Sequence, residues 1–188
     1  MNVLWRRLDR PGHDAALLRP EGDGWRLSGA AVFGAEKGPV SLVYTIDVDG
    51  DWRARRGIVL GFVGDRSVEY EILHASEGWR LNGVLVDGLG HLIDLDLSFT
   101  PATNALQLKR AAPAIGETLR LPAAWLDVDA ASLAELPQVY ERLGSTLYRY
   151  VAPSVPYEAV LELTPDGFVR TYPGLWRQEV GFDGDAVN

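Results

Sequence analysis

GWRLSG at 24–29 returns as GWRLNG at 78–83, differing only in Ser28 against Asn82. The continuation of each copy decides the fold. The first leads through a glycine-rich link into SLVYTIDVD (41–49), and the second, 54 residues on, into HLIDLDLSF (91–99). Each copy is a turn, a strand, a link and a longer strand carrying alternating aspartates. A catalytic site has little use for a second turn tryptophan, whereas a doubled antiparallel unit does. Trp25 and Trp79 are therefore expected at equivalent places on one side of a sheet, with related halves near 24–62 and 78–110.

Period-two alternation extends outward from the repeat. In LVYTIDVD, Leu42, Tyr44, Ile46 and Val48 share one face, and Asp49-Gly50 supplies a hairpin turn into WRARRGIVLGF (52–62). SVEYEILHA (67–75) alternates again, as does YEAVLELT (157–164), which turns at Pro165-Asp166-Gly167 into FVRTYPGLWR (168–177). In 91–99, Ile93, Leu95 and Leu97 oppose Asp94, Asp96 and Ser98, the pattern of a strand with one wet face.

One stretch breaks the pattern. In DVDAASLAELPQVYERLG (127–144), Ser132 and Glu135 have capping-box spacing and Leu133, Leu136, Tyr140 and Leu143 share a helical stripe, interrupted by Pro137. One short helical insert or two irregular turns are expected there. The fold class expected from the pattern is all-β, mainly antiparallel: a single large curved sheet with internal pseudo-duplication. One domain over 1–180 is expected, with 181–188 as a flexible tail.

The 188 residues are 47% hydrophobic and 23% charged, enough for a core that needs no staple. With no cysteine, disulfides, thiolate metal sites and thiol chemistry are excluded. The net charge of −8 works against nucleic acid and anionic membranes. The sequence shows neither a secretory leader nor an apolar run of spanning length, so no stable membrane insertion and a cytoplasmic location are expected.

Motifs for catalysis are weak. His13, His74 and His91 lack metal-ligand spacing, and no metal or cofactor is expected. DVDGDW (47–52) starts like a calcium loop but puts Trp52 where glycine is needed. Nucleotide and nucleophile-elbow fingerprints are missing. The enzyme case rests on Asp94 and Asp96, with Asp47 and Asp49 in the first copy, converging as a glycosidase-like pair. Six Trp and seven Tyr offer either core filling or a groove.

The segment IDLDLSFTPATNALQLKR (93–110) resembles the "putative glycolipid-binding" family of bacterial β-rich proteins, whose D-x-D-L-x-x-T-P-x-T-N run and basic pair match Asp94, Asp96, Leu97, Thr100, Pro101, Thr103, Asn104, Lys109 and Arg110. Trp52-Arg53, the corner Gly78, Trp79 and Gly83, Gln138-x-Tyr140, and DGFVRTYPGLW (166–176), with Tyr172, extend the resemblance in order along the chain. The family's T-N-T-L-P-I-R-R is altered here at Ala105, Gln107 and Lys109, and its upstream cysteine is missing.

The resemblance implies a partly open barrel similar to carriers of lipoprotein acyl chains. It also implies non-catalytic binding of a lipid, glycolipid or similar amphiphile. The expected ligand contacts are Trp52, Arg53, Trp79, Asp94, Asp96, Thr100, Thr103, Asn104, Arg110, Tyr140 and Tyr172. The alternatives are a hydrolase of a glycan or lipid-like ester working through the aspartates, and a scaffold pairing through a sheet edge. The sequence leaves the oligomeric state open.

Overall fold

In the computed structural model, which describes residues 1–181, the chain opens with six strands joined by tight turns: β1 (Asn2–Arg7), β2 (Gly12–Glu21), β3 (Gly24–Ala35), β4 (Gly38–Val48), β5 (Ala54–Val63) and β6 (Arg66–Ala75). Two short strands come next, β7 (Gly78–Leu81) and β8 (Val84–Leu85), then β9 (Asp94–Leu97), α1 (Thr103–Ala111), β10 (Thr118–Arg120), β11 (Ala123–Asp127) and β12 (Ser132–Leu136). The rest is β13 (Val139–Arg142), β14 (Leu147–Ala152), β15 (Tyr157–Leu163), β16 (Val169–Tyr172) and β17 (Trp176–Gly181).

One sheet takes fourteen of these in the order β10-β13-β14-β15-β16-β17-β1-β2-β3-β4-β5-β6-β7-β8. It curls into an incomplete barrel whose two ends, β10 and β8, are its outermost strands. A second sheet, β12-β11-β9, lies in the concavity. There β11 runs antiparallel to β12 and parallel to β9, with α1 and β10 making the crossover.

Alternation sets the two faces of the large sheet. Leu18, Leu27, Ile46, Gly57 and Ile72 are partners in register across five strands, and the row faces the core. Gly57 is a gap in that row with a purpose: a Cβ there would come within 2.6 Å of Leu95 Cδ2. Leu95 of β9 docks into this gap and seats the inner sheet.

The repeated motif has two endings. In β3 the strand continues unbroken, because Gly29 lies beneath the cross-strand Tyr44 ring, whose Cζ would be 2.3 Å from an added Cβ. In the second copy β7 stops at Leu81, and Asn82-Gly83, both with positive φ, turn the chain into β8. Trp25 and Trp79 both point inward at the start of their strands. Trp25 is half-buried and stacks on Trp52, with ring centroids 4.8 Å apart. Trp79 is fully buried and donates its indole N–H to the Leu92 carbonyl at 3.0 Å.

Three local expectations are corrected. The helix is α1, at Thr103–Ala111, not in 127–144; the latter folds as the end of β11, β12 and β13, because 132–136 pairs with β11 and 139–142 with β14. Asp94 and Asp96 are buried, not on a wet face, because α1 covers that side of β9. Asp47 and Asp49 do not converge with them: Asp47 faces outward and is held by Arg26 at 2.6 and 3.1 Å, and Asp49 accepts N–H bonds from Asp51 and Arg53 at its turn. The tail beyond Gly181 lies outside the described residues.

Candidate functional site

Where α1 crosses β9, the buried polar side chains Asp94, Asp96, Thr103, Asn104 and Gln107 gather, and each finds a hydrogen-bond partner. Arg110, in the last turn of α1, meets Asp94 through two parallel bonds of 2.8 and 2.7 Å, with Asp94 buried. Such a fork compensates both charges for the loss of water. At the other end of α1, Thr103 donates to Asp96 at 3.3 Å, and Gln138 adds a 3.2 Å bond to the same oxygen. Asn104 donates to the Tyr140 hydroxyl at 2.6 Å, which donates in turn to Gln107 at 3.2 Å. The helix is thus oriented by side-chain bonds on several sides.

Among the described residues, Asp96 has hydrogen bonds but no cationic partner. Burial pushes its carboxyl up to about 6; the Asp94 charge adds to the rise, and the bonds from Gln138 and Thr103 oppose it. A second buried carboxyl lies on the large sheet. Asp14, on β2, accepts from Tyr44 at 3.1–3.2 Å and from Thr100. Burial pushes it up to about 7 against those two hydrogen bonds.

Beside Asp96 a cavity of about 270 Å³ opens between the two sheets. Asp96, Ser98, Thr100 and Asn104 supply its polar wall, and Leu97, Leu136, Val155 and Leu175 its aliphatic part. Tyr150, Tyr157, Tyr172, Trp125 and Trp176 supply rings. The three tyrosines form one cluster, with centroids 5.2–6.1 Å apart. Tyr157 is fixed by donating its hydroxyl to the Pro173 carbonyl at 2.6 Å. Among the described residues, none lining this cavity is basic.

The residues singled out from the sequence therefore fall into three places. Asp96, Thr100, Asn104 and Tyr172 reach the cavity, and Thr103, Tyr140, Asp94 and Arg110 form the bonded layer around it. Trp52, Arg53 and Trp79 lie elsewhere. Trp52 stacks on Trp25 with the Lys109 ammonium 5.4 Å from its ring, Arg53 is exposed beside the Asp49 turn, and Trp79 fills the core against His74.

Sequence reasoning missed Asp14, Tyr150, Tyr157, Trp125 and Trp176 as site residues. Asp14 carried a readable signal: it shares the inward phase of Ala16 and Leu18, an acid where a strand should be apolar. The aromatic residues carried none, since several distant strands have to pair before the rings meet.

The described residues include no group of three or more His, Asp or Glu able to hold a metal ion, and no helix long and apolar enough to cross a membrane. No curated protein matches the chain. A crystal structure of a DUF1089 family protein from Pseudomonas aeruginosa is similar, with a TM-score of 0.75 and 25% identity, over 87% of this chain and 91% of that one. The family model described as "Putative glycolipid-binding" matches residues 2–178, nearly the whole of both sheets. By that match, the chain belongs to this family.

Proposed function

We propose that the protein binds a lipid, glycolipid or similar amphiphile, without catalysis, in the cavity between its sheets. The observation that carries this reading is the lining: a wall of aromatic and aliphatic side chains, with one carboxylate, one amide and the Ser98 and Thr100 hydroxyls supplied by the segment from β9 to the start of α1. Ligand sites have that composition, with apolar area supplying affinity at about 25 cal/mol/Å² and a few polar groups fixing orientation. The cavity is slightly smaller than the roughly 300 Å³ at which such sites begin. It takes one end of an amphiphile, with the polar group against Asp96 and Asn104 and the first carbons against the tyrosines.

Two observations weigh against the other readings. A hydrolase working through paired aspartates needs both free, and Asp94 is committed to Arg110. A scaffold that pairs through the ends of its large sheet needs a long edge there, and β8 and β10 are two and three residues long.

The test is native mass spectrometry of the freshly purified protein, followed by uptake from a mixed lipid extract. A stoichiometric adduct is expected. Tyr157→Ala should weaken uptake at least tenfold, and Asp96→Asn should change which head groups are retained. A clean apo mass with no uptake, or uptake indifferent to both substitutions, overturns the reading.

A further inference from the structure

The outer face of the large sheet carries a feature the cavity does not explain. Val180, Leu4, Ala15, Ala30, Val43 and Leu60 are direct partners in register across β17, β1, β2, β3, β4 and β5. All six point away from the core, so an unbroken apolar row crosses six adjacent strands on the solvent side. Val32 and Phe62 belong to the next row on one side, and Leu17 and Ile58 to the row on the other.

Val180, Val32 and Val43 are each more than half exposed, and Leu17, Leu60 and Phe62 about two-fifths. Together the six leave on the order of 500 Å² of apolar surface uncovered, the upper end of what a monomer tolerates. An outward position on a one-sided sheet is ordinarily polar.

The patch has relief. Small side chains at Ala15, Ser28 and Ala30 floor a shallow, wide-open groove along β2 and β3, with Leu4, Leu17 and Val180 as one bank. Across β3, Val43, Leu60 and Phe62 rise as a ridge. Groove and ridge lie side by side on one face, which is the requirement for an isologous contact: the ridge of each copy enters the groove of the other about a two-fold axis near Ala30 and Val43.

Charge favours the same partner. The chain carries −8 overall, yet most charges bordering the patch are in ion pairs on this face, Arg26 with Asp47, Arg56 with Glu71, and Arg6 and His13 with Glu179, while Glu69 beside Leu60 and Arg177 beside Arg6 put opposite charges at opposite borders. Two copies meeting here bring no large like charge together. A standard interface buries about 800 Å² per partner, which the patch and this paired rim together approach.

We propose that the outer face of β17-β1-β2-β3-β4-β5 is a docking surface for a second copy of this chain. The test is sedimentation velocity of the full chain from about 1 to about 100 μM. A concentration-dependent dimer is expected. Val43→Arg and Leu60→Lys, both at exposed positions, should each raise its dissociation constant at least tenfold while far-UV circular dichroism stays unchanged. Amphiphile uptake, which belongs to the opposite face, should also be unchanged. A monomer at every concentration, or a dimer indifferent to both substitutions, overturns the proposal. A monomer that floats with phosphatidylcholine vesicles overturns it in favour of a lipid surface.

Discussion

Asp14 couples the protein's stability to pH. Its carboxyl titrates near 7 in the folded chain, against about 3.8 when exposed, so between those values the folded state holds a proton that the unfolded state has released. The stabilisation is complete below the unfolded value and is lost as pH rises through about 7; Asp96, near 6, adds in the same direction over a narrower window. Urea unfolding is therefore expected to show stability falling on the order of 6 kcal/mol between about pH 4 and pH 8. Asp14→Asn should remove most of that slope, since an amide keeps hydrogen bonds to Tyr44 and Thr100 without titrating. A flat profile in the parent protein would sink the argument.

At the scale of elements, α1 shows where sequence patterns mislead. It has no side-chain N-cap bond and no acid in its first turn, and Thr103 through Leu108 are buried in succession. The segment has no N-terminal capping side chain and no polar stripe to advertise a helix, because its stability comes from packing and from side-chain bonds to other elements. In 132–143 the reverse holds. Capping spacing and a leucine stripe are present, but Pro137 and pairing to β11 and β14 override them. The strands around Leu42–Val48 and Tyr157–Leu163 were legible because an exposed outer face leaves period two in the sequence.

The bond between α1 and β9 is testable at this scale. Arg110→Ala leaves Asp94 buried and unpaired, at an expected cost of about 3–5 kcal/mol in chemical denaturation. Arg110→Lys keeps the charge without the two-pronged geometry and should lose less. Asp94→Asn combined with Arg110→Met, which removes both charges, should recover much of the loss. If the double variant were as unstable as Arg110→Ala, burial of an uncompensated charge would not be the cause.

Over the whole molecule, the inner sheet and α1 fill the concavity of the large sheet, and Leu95 locks into the Gly57 gap. With one shared core, the two sheets are expected to unfold together. Tryptophan fluorescence and far-UV circular dichroism should trace coincident denaturation curves; separate midpoints would show that the inner sheet melts independently. The same architecture explains how much of the candidate site was readable. Asp96, Thr100, Thr103 and Asn104 lie close together in the chain and announce themselves as a motif. Tyr150, Tyr157 and Trp176 join them only when β14, β15 and β17 are assembled, and no local pattern records that meeting.

The brevity of the outermost strands bears on how this protein behaves when crowded. Fibres grow when a neighbouring chain adds its backbone to a free strand, and a long edge on a fourteen-stranded sheet would invite that addition. Here the template is two residues long at β8 and three at β10. At these two ends a neighbouring chain finds little backbone to build on, so the large sheet closes with short free ends rather than long ones.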